Sequence, residues 1–461
     1  MSEIHKNKGI FNLVDELEID HKAVQNEIVT DLYTNAEKIA QENITHSEEE
    51  KKEWGTKFDG LLTSRWLGFP TMILMLGVVF WITIVGANYP SAMLAKFLFW
   101  IEGYLTQLFV FFHAPAWLEG IMIKGVYRTL AWVISVMLPP MAIFFPIFTF
   151  LEDLGLLPRI AFNLDNFFKK AGTNGKQALT MSMGFGCNAA GVIAARIIES
   201  PREKMIAILT NNFVPCNGRF PTLIILASLF MGSIFGGVYN SLAAAAVIVA
   251  LILVGITITL FISWLLSKTL LRGVQSSFSL ELPPYRRPKI KDVLLRSFID
   301  RTLFVLSRAV VVAAPAGAVV WLAANLSIGE LSLIQSAANW LNPFAILIGL
   351  DGAILLAFIL GLPANEIVLP ILVMSYLSAG AMLEPSSSQS LKNILVDNGW
   401  TWVTALSTML FSLLHFPCAT TLLTIKRETN SWKWTIFAAL MPLAVAIIVC
   451  FLVTQGIYLF F

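Results

Sequence analysis

Long apolar segments follow one another from Trp66 onward and decide what this chain can fold into. A helix needs about 20 apolar residues to cross a hydrocarbon layer of about 30 Å. Segments of that length lie near 66–87, 126–150, 205–231, 237–267, 302–325, 401–424 and 434–459. Only 13% of the residues are charged, whereas about a quarter is usual in soluble domains. The sequence therefore predicts an all-α polytopic membrane protein and excludes a soluble enzyme.

Charge and cysteine content exclude further classes. The chain has 32 Lys and Arg against 30 Asp and Glu, so the net charge of +2 is far from the basic excess of nucleic-acid-binding proteins. Its 4 cysteines form no CxxC pair, which argues against a zinc ribbon or a disulfide framework. The stretch KKAGTNGKQ has Lys170 and Gln177 where a phosphate-binding loop needs Gly and Ser or Thr. We therefore expect a transporter without a nucleotide-binding motif, and not an enzyme.

Basic residues in the connections predict the orientation. Residues 268–301 and 425–433 are rich in Lys and Arg and should be cytoplasmic, whereas 326–342 and 378–400 should face outward. Residues 1–62 are polar, lack a signal peptide and are predicted to form a cytoplasmic helical segment, either a solvated tail or a docking piece. This pattern gives an inner-membrane protein with a cytoplasmic N-terminus. The apolar stretch 93–112 contains Glu102 and is predicted to be an outer interfacial helix.

Two further apolar segments should enter and leave the membrane on the same side. Residues 177–198 have basic flanks at both ends, whereas 343–378 have few basic residues at either end. Each is interrupted by helix-breaking residues, GFGCN at 184–188 and GLPAN at 361–365. The sequence therefore predicts two broken re-entrant hairpins of opposite orientation, one open to each side.

Each predicted hairpin precedes a span with a Pro-Cys step, FVPCNGRFP at 213–221 and HFPCATT at 415–421. Two like halves of opposite topology are the arrangement from which many secondary transporters build a site at the membrane midplane. We therefore predict an inverted repeat within a transmembrane domain at 63–461. Module 1 covers about 126–267, a cytoplasmic linker 268–301, and module 2 about 302–459.

The breaks are the candidate functional site, because an unwound backbone at membrane depth is tolerated only where it lines a cavity or finds a partner. Thiolate sulfur with amide and carboxylate oxygen fits a late divalent ion such as Fe²⁺ better than Na⁺ or K⁺. Carbonyls at the ends of the first half-helices, near 183–186 and 360–362, also favour a cation. The candidate metal ligands are Cys187, Asn188, Cys216, Asn365, Glu366 and Cys418.

Other residues of similar chemistry have a structural interpretation instead. A lone cysteine in a membrane helix is usually a small buried apolar residue, which is the interpretation we favour for Cys450. His113 and His415 are also interpreted as packing residues. Glu366 is either a functional carboxylate or the partner of a basic residue such as Arg219.

Several motifs in order give this sequence a family resemblance: RWLGFP at 65–70, LEDLGLLPR at 151–159, GFGCN with AARIIES at 194–200, ELPPYRRP at 281–288 and FPCATTLLTIKRETNSWKW at 416–434. From about residue 55 onward the chain resembles the membrane portion of the bacterial ferrous-iron transport protein B family. The resemblance implies two gate-type modules like those of nucleoside transporters. It also implies that Cys187, Cys216 and Cys418 take part in metal passage, with Fe²⁺ as substrate and no permanently bound cofactor.

The chain also departs from the family pattern. Ala189, Ala190 and Gly191 stand where the family usually has Pro shortly after Cys-Asn. Asn365 stands where the second gate commonly has Lys, which removes a positive charge from the supposed ion path. The family's GTP-binding domain has no counterpart here, so we expect a separately encoded soluble GTPase that docks on the cytoplasmic face.

The sequence thus predicts a ferrous-iron permease in the lipid bilayer, with a homo-oligomer left open. Fe²⁺ would meet Glu366 and Asn365 from outside, be held by Cys187 with Cys216 or Cys418, and leave near Glu152 and Asp153. Three alternatives remain at this point: a transporter of another divalent metal such as Mn²⁺ or Zn²⁺, a transporter of a nucleoside-like solute, and a non-transporting membrane scaffold.

Overall fold

The computed structural model describes residues 21–43, 60, 62, 64, 67–231, 239–273, 289–328, 331–383 and 388–460. The first half contains helices α1 to α9, in order His21–Asn43, Gly68–Phe111, Ala116–Asp153, Leu156–Lys170, Lys176–Gly186, Asn188–Ala194, Pro201–Thr210, Phe220–Met231 and Tyr239–Lys268. A π-helical stretch, Gly120–Tyr127, lies within α3, and a second, Ala227–Met231, ends α8.

The second half contains helices α10 to α18, in order Ile290–Arg296, Phe304–Asn325, Leu333–Leu347, Gly352–Leu360, Val368–Tyr376, Ser388–Asp397, Trp402–Leu414, Ala419–Thr429 and Trp432–Phe460. The π-helical stretch Ser297–Leu303 joins α10 to α11. Strands β1 (Ser327–Ile328) and β2 (Leu331–Ser332) pair antiparallel, with Ser327 opposite Ser332.

Six helical segments within the described residues are long and apolar enough to cross a membrane. They are Gly77–Phe111, Ala116–Asp153, Ala243–Lys268, Val293–Asn325, Trp402–Thr429 and Trp432–Leu459. Helices α12 and α13 form a further apolar pair that bends by 111° at the break between them. The prediction of an all-α polytopic membrane protein is confirmed.

Two of the predicted segment boundaries are wrong. Residues 93–112 are not a separate interfacial helix but continue the first span as α2, a helix of 44 residues and about 66 Å. Glu102, which argued against this continuation, is 6% exposed and paired with Arg128 at 2.6 Å. A long-range partner neutralises the buried carboxylate, so the helix tolerates it.

The predicted span 205–231 is also not one helix. Helix α7 ends at Thr210 and passes through the short 3-10 turn Asn211–Phe213, and α8 begins only at Phe220. The interruption contains Pro215 and Gly218 and is followed by Pro221, which explains why the helical hydrogen-bond ladder stops there. The second Pro-Cys segment is interrupted in the same way between Leu414 and Ala419.

The two predicted hairpins are present. Helices α5 and α6 pack against each other on either side of Cys187, and α13 packs against α14 on either side of residues 361–367. A single extended residue, Cys187, separates the first pair.

Contacts with α16 and α17 show that the hairpins point in opposite directions. Before α16, the indole N–H of Trp400 donates to the hydroxyl of Tyr376, the last residue of α14, at 2.7 Å. Near the end of α17, Glu428 accepts from Arg196, just after α6, at 2.6 Å. The bases of the two hairpins therefore lie at opposite ends of α16–α17. Both tips reach the middle, because α6 packs on α17 and Ala419 contacts the second tip.

The broken pair α7–α8 runs antiparallel to α16–α17. Helix α7 begins beside the base of the first hairpin, and Phe230 at the end of α8 packs on Trp400 with ring centroids 5.8 Å apart. Phe213 and Leu413, both fully buried, lie in the large apolar core at this crossing. The predicted inverted arrangement of two like halves is therefore visible in the contacts.

Helix α1 agrees with a helical N-terminal segment, although Val24, Ile28, Leu32 and Ile39 are all exposed. The acidic cluster at 48–53, the Arg65–Trp66 start of the RWLGFP motif and ELPPYRRP at 281–288 lie outside the described residues. The domain and module boundaries remain predictions.

Helices α3 and α11 touch backbone to backbone. A Cβ on Gly317 would lie 2.4 Å from the carbonyl oxygen of Gly125 and 2.4 Å from the hydroxyl of Thr129. Small residues at such a crossing allow the close van der Waals packing on which helix association in lipid depends.

We expect Gly317→Ala to destabilise the protein by about 1–3 kcal/mol, because the added methyl group forces the two helices apart. Gly103→Ala is the matched control, since a Cβ there meets no atom within 4 Å, and it should be neutral or stabilise by up to about 1 kcal/mol through helix propensity. Thermal unfolding in detergent measures both. Equal melting temperatures for the two variants would contradict the close crossing.

Candidate functional site

The tips of the two hairpins have the same backbone conformation. Cys187 has φ −155° and ψ 125°, and Ala364 has φ −152° and ψ 122°. In each case an Asn follows, Asn188 or Asn365, and a new helical segment begins. The two tips are thus equivalent positions of the repeat.

Each tip is hydrogen-bonded to the Pro-Cys break of its own module. The N–H of Asn217 donates to the carbonyl of Gly186 at 3.3 Å, and the N–H of Ala419 donates to the carbonyl of Leu362 at 2.8 Å. These two carbonyls were expected to be free for a cation, and that expectation is wrong for both. The bonds tie each hairpin tip to the residue directly after Cys216 or Cys418.

Arg219 connects the two Pro-Cys breaks and is 1% exposed. Its guanidinium donates to the carbonyls of Asn212 at 2.7 Å, Leu413 at 2.8 Å, His415 at 3.2 Å and Phe416 at 3.3 Å, and to Oδ1 of Asn212 at 3.0 Å. These carbonyls lose their helical partners where the helices stop. A buried cation of module 1 therefore satisfies the broken helix of module 2.

Three cysteines lie around the point where the two hairpin tips meet the two Pro-Cys breaks, which we call the crossing. Cys187 and Cys216 are 7% and 9% exposed, and Cys418 is half-buried. The three sulfurs are close enough to interact electrostatically. The sulfur of Cys418 lies 3.2 Å from the hydroxyl of Thr421. Because a metal binds the thiolate form of cysteine, an ion that binds here must displace the thiol protons.

Glu366 and Asn365 reach this group from the second hairpin. The carboxylate of Glu366 lies against Gly218, where a Cβ would be 2.2 Å from Oε1, and it is within electrostatic range of Cys216. No salt bridge to Glu366 occurs within the described part of the chain, and Arg219 binds carbonyls instead. The alternative that Glu366 pairs with Arg219 is therefore wrong. Asn365 lies 3.9 Å from the sulfur of Cys216 through its Nδ2.

Asn188 is 2% exposed and brings an oxygen without a partner. Its Nδ2 contacts Oδ1 of Asn212 at 3.4 Å, and its backbone carbonyl accepts from Asn211 at 3.0 Å. Oδ1 of Asn188 and Oδ1 of Asn211 are both buried without a hydrogen-bond partner among the described residues. Unsatisfied buried oxygens are costly, and such atoms can serve as cation ligands.

All six predicted ligands thus lie on the two hairpin tips and the two Pro-Cys breaks. Within the described ranges, however, no group of three or more His, Cys, Asp or Glu side chains has the spacing of a metal site. Any ion held here must take part of its coordination from amide groups, the backbone or water.

Sequence reasoning missed two residues at this site. Arg219 was considered only as a partner for Glu366, although its place after a Pro-Cys-Asn-Gly break was a signal. His415 was interpreted as a hydrogen-bonded packing residue, in agreement with its contacts to Phe411 and Ser412, but its Nε2 also lies 3.3 Å from Oδ1 of Asn365. The break between α16 and α17, directly at His415, was the signal that could have included it.

Other residues lie away from the crossing. Cys450 is fully buried in α18 with its sulfur 3.6 Å from the carbonyl of Ser407, in agreement with a packing role. Glu152 and Asp153 are exposed at the end of α3. His113 is exposed after α2, with a positive φ of 50°, so its interpretation as a packing residue is wrong.

A cavity of about 830 Å³ adjoins the first hairpin tip. Its lining includes Met183 and Ala190, which precede and follow Cys187, and at the other end Arg196 and Glu428. The cavity extends from beside the tip to the end of the molecule that carries the ion pair between the modules.

Two family models match the chain. The gate model, described as nucleoside recognition, matches residues 134–230 and 306–432. The model described as the ferrous iron transport protein B C terminus matches residues 248–300. Each gate segment contains one hairpin tip and one Pro-Cys break, in agreement with the geometry.

Curated relatives cover most of the chain. The Fe(2+) transporter FeoB of Staphylococcus aureus (strain MSSA476) is 28% identical over 439 residues, which is 92% of this chain and 62% of the relative. The Fe(2+) transporter FeoB of Methanocaldococcus jannaschii is 26% identical over 98% of this chain and 67% of the relative. A Porphyromonas gingivalis protein described as a fusion of Fe(2+) transport protein A and FeoB is 26% identical over 91% of this chain and 54% of the relative. No solved structure gives a significant match.

Arg219→Met tests whether the guanidinium holds the crossing together. We expect this substitution to lower the free energy of unfolding by at least about 3 kcal/mol. Several buried acceptors lose their donor, and each unsatisfied acceptor costs about 1–3 kcal/mol. Arg272→Met is the control, since this exposed side chain donates to the carbonyl of Lys268, the last residue of α9, and a surface substitution usually changes stability by less than about 1 kcal/mol. Melting temperatures in detergent distinguish the two variants. A mild effect of Arg219→Met, comparable to that of Arg272→Met, would contradict this role.

Proposed function

We propose that this chain, a FeoB-type membrane domain by its matched segments, is a permease that carries Fe²⁺ across the inner membrane. The observation that carries the proposal is the convergence of Cys187, Cys216 and Cys418 with Asn365 and Glu366 on four chain breaks inside an apolar helix bundle. The relatives named as Fe(2+) transporters support it. The chain spans about 62% of the length of the first of these relatives, so substrate and activity are proposed and not transferred.

The donor chemistry favours a late divalent ion. Thiolate, amide oxygen and carboxylate together suit Fe²⁺ and its neighbours better than Na⁺ or K⁺. We assign the metal to Cys187, Asn188, Cys216, Asn365, Glu366 and Cys418, none of which holds it permanently. A metal that displaces the protons of the thiols and of Glu366 creates negative charges that offset the charge of Arg219, so the bound ion does not lie in a net positive pocket.

Transport requires that the site open to one side at a time. The two hairpins are the elements that can open the site to either side, since the base of one lies at each end of α16–α17. Lys176, Arg196 and Lys204 lie at the end that we assign to the cytoplasm by charge. With that orientation, Fe²⁺ enters past Glu366 and leaves beside Cys187, through the cavity at Arg196 and Glu428 or near Glu152 and Asp153. The N-terminus is then cytoplasmic.

A soluble GTPase in trans is the proposed regulatory partner. The family resemblance supports it, and helix α1, with its exposed Ile28, Leu32 and Ile39, supplies a surface on the cytoplasmic side of our topology. A homo-oligomer is compatible with the same arrangement.

If the GTPase is required, proteoliposomes with this chain alone should take up ⁵⁵Fe²⁺ slowly and show no response to GTP. Uptake should rise when the soluble GTPase from the same cells is added with GTP, because nucleotide hydrolysis then drives the modules. Full uptake by the chain alone, with no nucleotide-binding protein co-purifying, would remove the partner from the proposal.

Cys187→Ser should reduce the rate of ⁵⁵Fe²⁺ uptake about tenfold or more, because loss of a metal ligand costs at least as much as loss of a residue that supports one. Cys450→Ser is the matched control, since its sulfur lies in α18, away from the candidate site, and donates to the backbone carbonyl of Ser407, a bond that a hydroxyl can also make. It should transport at a rate close to that of the unmodified chain. Folding of both variants is checked by melting temperature.

Unchanged uptake by Cys187→Ser would refute the ligand assignment. The same assay tests the other substrates. Excess unlabelled Mn²⁺ or Zn²⁺ shows how narrow the metal choice is, and a nucleoside is included because the gate model is described as nucleoside recognition. Inhibition by the nucleoside and not by metals would replace the proposal with the organic-solute alternative.

A further inference from the structure

His415 is fixed in one orientation at the second Pro-Cys break. The side chain is 1% exposed, and its ring packs between Phe358 and Phe416 with centroid distances of 4.9 Å and 5.0 Å. Nδ1 lies 3.1 Å from the carbonyl of Phe411 and 2.9 Å from that of Ser412. Because both neighbours are acceptors, Nδ1 carries the proton. In the neutral ring, Nε2 therefore presents an unshared electron pair.

This tautomer is the one that metal-binding histidines use. A ligating histidine typically donates its other ring N–H to a backbone carbonyl or carboxylate, which sets the ring orientation. His415 has that support twice, from two carbonyls of its own helix α16. A histidine with only a packing role has no need to direct Nε2 at other atoms that can bind a metal.

The atoms around Nε2 are metal-ligand types. Nε2 lies 3.3 Å from Oδ1 of Asn365, and the amide of Asn365 in turn lies 3.9 Å from the sulfur of Cys216. An imidazole nitrogen and an amide oxygen that face each other both offer electron pairs, so a cation between them stabilises the contact. With bonds of about 2.0–2.3 Å, ligand atoms on one tetrahedral ion lie about 3.3–3.8 Å apart. The distance of 3.3 Å between Nε2 and Oδ1 lies in that range, and the sulfur of Cys216 lies on the other side of the same amide group, 3.9 Å from Nδ2.

We propose that Nε2 of His415 is a ligand of the transported metal, together with the thiolate of Cys216 and the amide oxygen of Asn365. The proposal rests on the proposed function and adds a nitrogen donor to it. On binding, the S–H bond of Cys216 breaks, a sulfur–metal bond forms, and the proton passes to solvent. No oxidation or reduction takes place.

The three donors come from different parts of the repeat. Cys216 lies on the Pro-Cys break of module 1, whereas Asn365 and His415 lie on the hairpin tip and the break of module 2. The ion is thus held across the boundary between modules. A relative movement of the modules separates the sulfur from the other two donors, which couples release of the ion to opening of the site.

The donor set also narrows the substrate. Nitrogen, sulfur and amide oxygen together favour late first-row divalent ions and disfavour Mg²⁺ and Ca²⁺, which prefer oxygen ligands. The fixed charge of Arg219, which donates to the carbonyl of His415 at 3.2 Å, disfavours binding without ionisation of Cys216. The site therefore selects ions able to displace a thiol proton.

His415→Asn tests the proposal in the full-length purified chain with Co²⁺ as a spectroscopic probe. The shorter amide can still donate to the carbonyls of Phe411 and Ser412, but it has no donor at the position of Nε2. We expect the Co²⁺ dissociation constant to rise about tenfold or more and the visible absorption of bound Co²⁺ to change shape. The melting temperature without metal should stay close to that of the unmodified chain.

His113→Asn is the matched control. His113 is exposed and has a positive φ of 50°, a conformation that Asn adopts readily. Its Co²⁺ affinity and spectrum should not change. Cys216→Ser should weaken sulfur-to-cobalt charge transfer while a nitrogen ligand remains.

The outcomes separate this inference from the proposed function. Wild-type affinity and spectrum in His415→Asn would overturn the histidine ligand and leave the permease intact. Absence of saturable Co²⁺ and Fe²⁺ binding by the unmodified chain would overturn both. Should His415→Asn fail to fold, X-ray absorption of the unmodified Co²⁺-loaded chain decides: imidazole scattering together with one sulfur supports the site, and its absence overturns it.

Discussion

Backbone polar groups inside an apolar bundle must find partners, and this requirement organises the whole crossing. Four interruptions of helices come together, and each would leave carbonyl and amide groups unpaired at several kcal/mol apiece in lipid. In the structure, hydrogen bonds between the breaks satisfy these groups. Asn217 and Ala419 donate to the two hairpin tips, and Arg219 supplies donors to both Pro-Cys breaks. What keeps the helices broken also holds the modules together.

This solution leaves a defined set of donors for an ion. The guanidinium takes up the carbonyls that could otherwise have bound a hard cation such as Na⁺. The remaining atoms are sulfur, amide oxygen, a carboxylate and an imidazole nitrogen. The proposed selectivity for a softer divalent ion is thus a consequence of how the backbone is satisfied. Because the donors belong to both modules, the contacts proposed to bind the ion depend on the relative position of the modules.

Much of the fold followed from local signals. Gly and Pro at 184–188 and 361–365 indicated the hairpin tips, and the distribution of Lys and Arg gave their opposite orientation. The wrong predictions came from contacts between residues far apart in the sequence. Glu102 argued against a continuous α2 because its partner, Arg128, lies on another helix. The six predicted ligands were chosen because they lie at these breaks in the sequence, and the structure brings the breaks together. The role of Arg219 depended on contacts with module 2, and the role of His415 on a contact with Asn365, 50 residues away in the same module; no spacing within the sequence reveals either contact.

Direct localisation of the ion tests the central claim, that the metal is bound where the hairpin tips meet the Pro-Cys breaks. Crystals of the full chain soaked with Co²⁺ and measured at the cobalt absorption edge would give its position by anomalous scattering. The account predicts a peak between the sulfur of Cys216 and Nε2 of His415, within bonding distance of Asn365. A peak only at the molecular surface, or none at the crossing when cobalt is bound in solution, would contradict it.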